Sequence, residues 1–312
     1  MEKGKKALVL SGGSIKGAFQ AGVISEVLGY GYEPDFIYGV SVGALNGAFL
    51  SERAGRYNVQ GKKTDWKTIG KELEEFWLNN IKSFENLGYT QGARTLLKAL
   101  FRNFDGLVQM NPLYDLVKSI IKEENLRNSP VSFTATSVNL ADGKVVNADL
   151  GYPHIIDYIL ASTAIPIMMP VVNVGGAPLV DGGVRDVAPL KLAYKEPLVE
   201  EIYCILCQPE ETSGAQFDIK NLLQYTDRLM EIVSNEILTN DIKWAEFAND
   251  FCSLDGSPIL EGPLRGYRKV PLTVFRPKTT INVDIQSFDS TDIKNMIDLG
   301  KYVARENLKK SS

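Results

Sequence analysis

Gly39-Val40-Ser41-Val42-Gly43 sets a serine between two glycines, each one residue removed. That pattern suits a nucleophilic hydroxyl. On a sharp turn between a strand and a helix the serine stands clear of the sheet, and flanking glycines remove the side chains that would collide with the neighbouring elements. The string alone is weak, because a tight turn ending in a helix-capping serine reads the same way. A serine hydroxyl also needs a base to take its proton. The chain has one histidine, His154, in Gly151-Tyr152-Pro153-His154 at the expected start of a helix. It precedes the acid candidate, whereas the order Ser, acid, His would put it late. A conventional triad is poorly supported, and the base is expected to be a carboxylate or a lysine.

Two further segments bear on that chemistry. In Ser11-Gly12-Gly13-Ser14-Ile15-Lys16-Gly17, a run of small residues falls where a first strand turns into a helix. Backbone N–H groups freed there, with the partial positive charge of a helix start, make an anion site for phosphate or for the oxyanion of a tetrahedral intermediate. Ala18 after Gly17 breaks the Walker pattern, and Ser14 stands where a dinucleotide fingerprint needs its second glycine, so nucleotide binding is disfavoured. The other segment is Asp181-Gly182-Gly183, at the exit of Ala177-Pro178-Leu179-Val180. Alone it reads as a strand-ending turn. Beside the other two signals it reads as a carboxylate brought close to a neighbour.

The elements that position these residues follow from hydrophobic patterning. Lys5 to Leu10 is a short buried strand, Lys16 to about Leu28 a helix, Phe36 to Val40 a second strand and Ala44 to Leu50 a small-residue helix. Strand, glycine turn, helix, repeated, predicts a parallel sheet with crossover helices. Asp65 to about Lys122 reads as helical and more polar. Val131 to Leu140 resumes strand character, with Asp142-Gly143 turning into Val145-Val146. Helices follow near Leu190 to Tyr194, Asn221 to Leu238 and Thr291 to Leu308, with strands at Ile202 to Cys207 and Leu272 to Phe275. The expectation is one catalytic α/β domain over residues 1–312, carrying a helical insertion at about 55–130.

Composition narrows the classes. A net charge of −4 over 312 residues argues against a dedicated nucleic-acid binder. Cys204, Cys207 and Cys252 are too few and too oddly placed for a disulfide framework. Cys204 and Cys207 fall in an apolar strand whose alternation points them to opposite faces, so they read as buried structural thiols, not a zinc site. The 23 uncharged residues between Asp157 and Asp181 are long enough to span a bilayer, but Pro166, Pro170, Pro178 and Gly175-Gly176 break such a helix. A helix end, a loop and two short strands fit better. Ala7 to Leu10 is too short for a signal-peptide core, which predicts a cytoplasmic location.

The three motifs, in this order, resemble the patatin-like phospholipase family: a glycine-rich segment at Gly12 to Gly17, G-x-S-x-G at Gly39 to Gly43, and D-G-[AG] at Asp181 to Gly183. Ala161-Ser162-Thr163-Ala164-Ile165-Pro166 is similar to the family's segment upstream of its Asp motif. The resemblance is close over about 5–50 and 158–190 and absent between about 55 and 130. It implies a three-layer α/β/α fold with a mainly parallel central sheet. It also implies a dyad in which Ser41 attacks an ester carbonyl and Asp181 accepts its proton, an oxyanion hole from Gly12, Gly13 and Ser14, lipid acyl esters as substrates and no metal or other cofactor. Gly17, Gly39, Gly43, Gly182 and Gly183 support these motifs. Ser14 departs from the family's usual glycine, and Lys16 is expected to orient the loop instead of taking part in chemistry.

Lipid substrates imply access to a membrane surface. Arg94 to Phe104 carries Leu96, Leu97, Leu100, Phe101 and Phe104 at helical spacing with Arg94, Lys98 and Arg102 off that face, a basic amphipathic pattern. Packing of this face on the core is the plainer reading. Two other functions use the same residues: an acyltransferase or thioesterase working through Ser41, and a catalytically silent lipid-binding module.

Overall fold

The computed structural model of the chain describes residues 4–91, 105–210, 214, 217–252 and 257–310. Its first half alternates strand and helix as the patterning predicts: β1 (Lys5–Leu10), α1 (Gly17–Gly29), β2 (Phe36–Val40) and α2 (Val42–Val59). α3 (Trp66–Asn80), a two-stranded hairpin of β3 (Tyr89–Thr90) and β4 (Val108–Gln109), α4 (Asn111–Ile120) and α5 (Glu123–Arg127) come next. β5 (Ser132–Asn139), β6 (Val145–Asp149), α6 (Ile155–Ser162), β7 (Val172–Val174) and β8 (Ala177–Asp181) carry the chain to the second candidate residue. α7 (Leu190–Lys195), β9 (Val199–Ile205), α8 (Leu222–Phe251), β10 (Leu272–Phe275) and α9 (Ser290–Lys310) complete it.

One sheet organises these elements, in the order β10-β9-β1-β2-β5-β8-β7 with β6 also paired to β5. The run from β10 to β5 is parallel, and the pairings of β6, β7 and β8 are antiparallel. Both faces at the centre of the parallel part are buried, so β1 from Ala7 to Leu10 and β2 from Phe36 to Val40 are buried residue after residue instead of alternating. Leu8 and Leu10 of β1 face a core shared with α1, α2, α3 and α9, while Ala7 and Val9 face one shared with α7 and α8. The result is a three-layer α/β/α arrangement.

The register around β5 brings the functional segments together. β2 pairs with Ser132 to Thr136 and β8 with Ser137 to Asn139, while β6 pairs with Thr134 to Val138. A strand has two edges, and β6 overlaps both other partners, so β2 and β8 must share the opposite edge. They meet there head to head, the end of β2 at Val40 against the end of β8 at Asp181. Residues 140 apart in sequence, 41 and 181, therefore leave the sheet at the same place.

Two expectations need adjusting. The stretch from 65 to 122 is not wholly helical, since β3 and β4 form a small antiparallel pair within it. Its Ile69, Leu73, Phe76, Trp77, Val108 and Leu113 join the same core as α1 and α2. α8 is longer than Asn221 to Leu238, running 30 residues to Phe251. The Arg94 to Phe104 pattern lies outside the described residues. The uncharged run resolves into α6, a loop, β7 and β8, and no described helix is long and apolar enough to cross a membrane. Cys204 packs in one core and Cys207 in the other, both buried and unbridged.

Candidate active site

Ser41 occupies the turn between β2 and α2 with φ 55° and ψ −127°, a conformation that costs a non-glycine residue about 1–3 kcal/mol. The surroundings hold it there. A Cβ on Gly39 would come within 2.6 Å of Ala44 N, and one on Gly43 would lie 2.7 Å from Ser11 O, so the elbow closes only with glycine at both flanks. The Ser41 N–H donates to Ser162 Oγ at 2.9 Å, and Ser162 Oγ donates in turn to Thr136 O on β5 at 2.6 Å.

Asp181 ends β8, and the Ser41 side chain beside it favours the charged form of its carboxylate. Its Oδ1 accepts the Gly183 N–H at 2.7 Å, and its own N–H donates to Ala164 O at 2.9 Å. Gly182 fits because a Cβ there would reach 2.5 Å from Thr136 O. Burial pushes the Asp181 carboxyl up to about 6, against the opposing pull of the Ser41 side chain and the Gly183 N–H. The carboxyl is then still ionised at neutral pH, yet close enough to it to be a useful proton acceptor.

The glycine loop closes the third side. Gly12 approaches so near that a Cβ there would lie 3.3 Å from Ser41 Cβ. Its N–H is already donated to Val187 O at 3.1 Å, so Gly12 anchors the loop and does not offer that N–H to a ligand. Neither the Gly13 nor the Ser14 N–H is taken by a backbone carbonyl among the described residues. Gly13 has no room for a side chain, since a Cβ would reach 2.7 Å from Cys207 Sγ. Ser14 sits at φ 52°, the left-handed region where the family's usual residue is glycine. It opens the short 3-10 turn Ser14–Lys16 that leads into α1.

Lys16 is tied up in the wall of the cavity that holds Ser41 and Asp181. Its Nζ donates to Glu231 Oε1 on α8 at 2.6 Å and to Gln208 Oε1 at 3.1 Å. Burial raises the Glu231 carboxyl, but Lys16 and Arg228 outweigh it and hold the group below the usual range. Gly17 lets α1 start directly against Val42 and Trp77. Behind the loop, Asn46 donates to Gly17 O at 3.2 Å and Gln20 Oε1 at 3.0 Å, and accepts from Trp77 Nε1 at 3.0 Å. This buried network ties loop, α2 and α3 into one block.

A cavity of about 350 Å³ opens over the centre, lined by Ser41, Asp181, Gly13 and Ser14 and by charged residues of α8. His154 is exposed at the start of α6 with φ 58° and is not among the lining residues. Among the described residues no three His, Cys, Asp or Glu side chains group as metal ligands. Ser162 and Ala164 escaped sequence reasoning as site residues. Only their position in the Ala161 to Pro166 segment marked them.

Fold and site together define a three-layer α/β protein whose centre is a serine on a strained elbow, a buried carboxylate and a glycine loop. The chain belongs to the patatin-like phospholipase family, which it matches over residues 8–194. An uncharacterized NTE family protein of Mycobacterium tuberculosis is 29% identical over 188 residues, which cover 59% of this chain and 44% of that protein. A Mycobacterium bovis protein of the same description matches equally. The aligned part is thus less than half the length of these relatives. VipD from Legionella pneumophila aligns in structure over 98% of this chain and 67% of its own, with a TM-score of 0.44 and 14% identity.

Proposed function

We propose that the protein is a serine acyl hydrolase of lipid esters, working as one catalytic domain through a Ser41–Asp181 dyad. Membership of a phospholipase family supports lipid hydrolysis in general. The observation that carries the finer reading is the meeting of β2 and β8 on one edge of β5, which puts Ser41 and Asp181 in the wall of one cavity.

In this reading Ser41 Oγ attacks the ester carbonyl carbon as Asp181 takes its proton. The oxyanion faces the Gly13 and Ser14 N–H groups. Collapse breaks the acyl C–O bond, and Asp181 returns the proton to the departing alkoxide. Water, deprotonated by Asp181, then attacks the acyl-serine, and the proton goes back to Ser41 as the acid leaves. Lys16, committed to Glu231 and Gln208, holds the loop and has no chemical step.

Access to a lipid surface belongs to the proposal. On the first half of α8 the residues lining the cavity, such as Asp227, Arg228 and Glu231, occupy one side, while Leu222, Tyr225, Leu229, Ile232 and Val233 are exposed on the other. An outward apolar stripe on a helix wall beside a lipid-ester site suits the interface of a lipid layer. Flotation with phosphatidylcholine vesicles is expected to carry the protein, and Leu229→Asp with Ile232→Asp to release it.

Hydrolysis of p-nitrophenyl esters tests the dyad. Ser41→Ala and Asp181→Asn are each expected to abolish it in a folded protein, and His154→Ala to leave it intact. Retained activity in Ser41→Ala, or a large loss of kcat in folded His154→Ala, ends the dyad reading. Transfer of the acyl group to an added thiol or alcohol in preference to water would favour the acyltransferase alternative.

A further inference from the structure

A second, smaller pocket opens beside Ser41, away from the charged cavity. It is lined among the described residues by apolar groups, with Leu45, Trp77, Leu87, Val108, Met110 and Leu113 forming walls that the large cavity does not share. Ser14, Ile15, Ser41, Ile165 and Ile285 border both spaces. Ser41 therefore sits at a junction with hydrocarbon on one side and charge on the other.

We propose that this pocket is the acyl subsite, and that it sets a preference for short acyl chains over long ones. The proposal rests on the Ser41–Asp181 reading. Orientation follows from polarity. A chain laid in the large cavity would desolvate Lys16, Asp227, Arg228 and Glu231, whereas one in the pocket meets no charged side chain, and the Thr163 hydroxyl there is already donated to Leu160 O. The alcohol half of the ester then leaves into the polar cavity, where water reaches it.

Length follows from volume. The pocket measures about 60 Å³, against about 350 Å³ for the charged cavity. A methylene takes up about as much space as a water, roughly 30 Å³ of liquid volume, so the pocket holds only a short run of carbons beyond the carbonyl. The walls resist enlargement. Trp77 is fixed by its hydrogen bond to Asn46, and the Leu113 N–H is donated to Leu87 O at 3.2 Å. Met110, Met168 and Met169 are the adaptable elements, since an unbranched thioether repacks more easily than a branched or aromatic side chain.

The test is kcat/KM for p-nitrophenyl esters from two to twelve carbons, all below their micellar concentrations. The wild type is expected to peak below about C8 and to fall at least tenfold by C12. Met110→Ala should move the peak about two carbons longer, and Met110→Trp should move it shorter. Leu113→Ala, also lengthening, serves where the tryptophan variant does not fold. A profile still rising at C12, or variants that scale every chain length by one factor, overturns the acyl subsite. If Ser41→Ala keeps the wild-type profile, the dyad itself fails. Ser41-dependent hydrolysis with no chain-length preference sinks only the subsite.

Discussion

The two walls that meet at Ser41 are built from different material. On one side α2, α3, β4 and α4 present leucine, valine, methionine and tryptophan to a narrow pocket. On the other, α8 and Lys16 present a paired charge network, Lys16–Glu231–Arg228, to an open cavity. The serine's partner belongs to the charged side: Asp181 and Asp227 both line the open cavity, and burial lifts each to about 6. What opposes the lift differs, since the Ser41 side chain and the Gly183 N–H favour the charged form of Asp181 and the Lys16 ammonium favours that of Asp227.

The sharpest way to break this contrast is at the boundary. Ser41→Ala is expected to lower kcat for ester hydrolysis by at least about 10³-fold, with the fold retained by circular dichroism. Asp181→Asn should cost about as much activity while making the protein more stable. The sign follows from linkage. An acid whose native value lies above its unfolded one favours folding fully below about pH 4, and loses that contribution as pH rises through about 6. At pH 7.5 the buried charge therefore costs on the order of 2–3 kcal/mol, and its removal should raise Tm by several degrees. A lowered Tm would mean that the carboxylate's hydrogen bonds outweigh its burial.

Smaller effects probe the supports. Ser162→Ala removes the acceptor for the Ser41 N–H and the donor to Thr136 O. It should lower kcat about tenfold to a hundredfold, with KM little changed, and destabilise by about 1–3 kcal/mol in urea titration. Glu231→Gln leaves the Lys16 ammonium without its carboxylate in the charged wall. Stability should fall by about 1–3 kcal/mol, while kcat changes less than tenfold because Lys16 only holds the loop. Ser14→Gly should change least. Relief of the left-handed serine is offset by the freer unfolded chain, so stability moves by less than about 1 kcal/mol, and activity stays within about twofold.

The boundary itself was legible in the sequence because its parts are local. Ser41 declares its turn by glycines two residues away on each side, and Asp181 by the two glycines that follow it. Apolar strands of five or six residues ending at each motif identified the sheet. What stayed hidden depends on distant partners. That Gly12 gives its N–H to Val187 O, and so anchors the loop, follows only from the path of the chain 175 residues later. Ser162 reads as an ordinary helix-end serine until β5 places Thr136 O beneath it. α8 ran on past Leu238 because its apolar residues serve two faces. Ile242, Ala245 and Ala248 go to the sheet, and Leu229, Ile232 and Val233 go outward, which blurs any single helical stripe. The short β3–β4 pair of two-residue strands leaves too little periodicity to detect.

The pairing of Ser41 with Asp181 is tested most directly by the pH dependence of labelling with a fluorophosphonate, which reports the serine's reactivity without a leaving alcohol or acyl pocket. The labelling rate should rise through a single ionisation near pH 6, modify only the peptide containing Ser41, and vanish in folded Asp181→Asn. Labelling at another residue, or an undiminished rate in Asp181→Asn, would contradict the pairing.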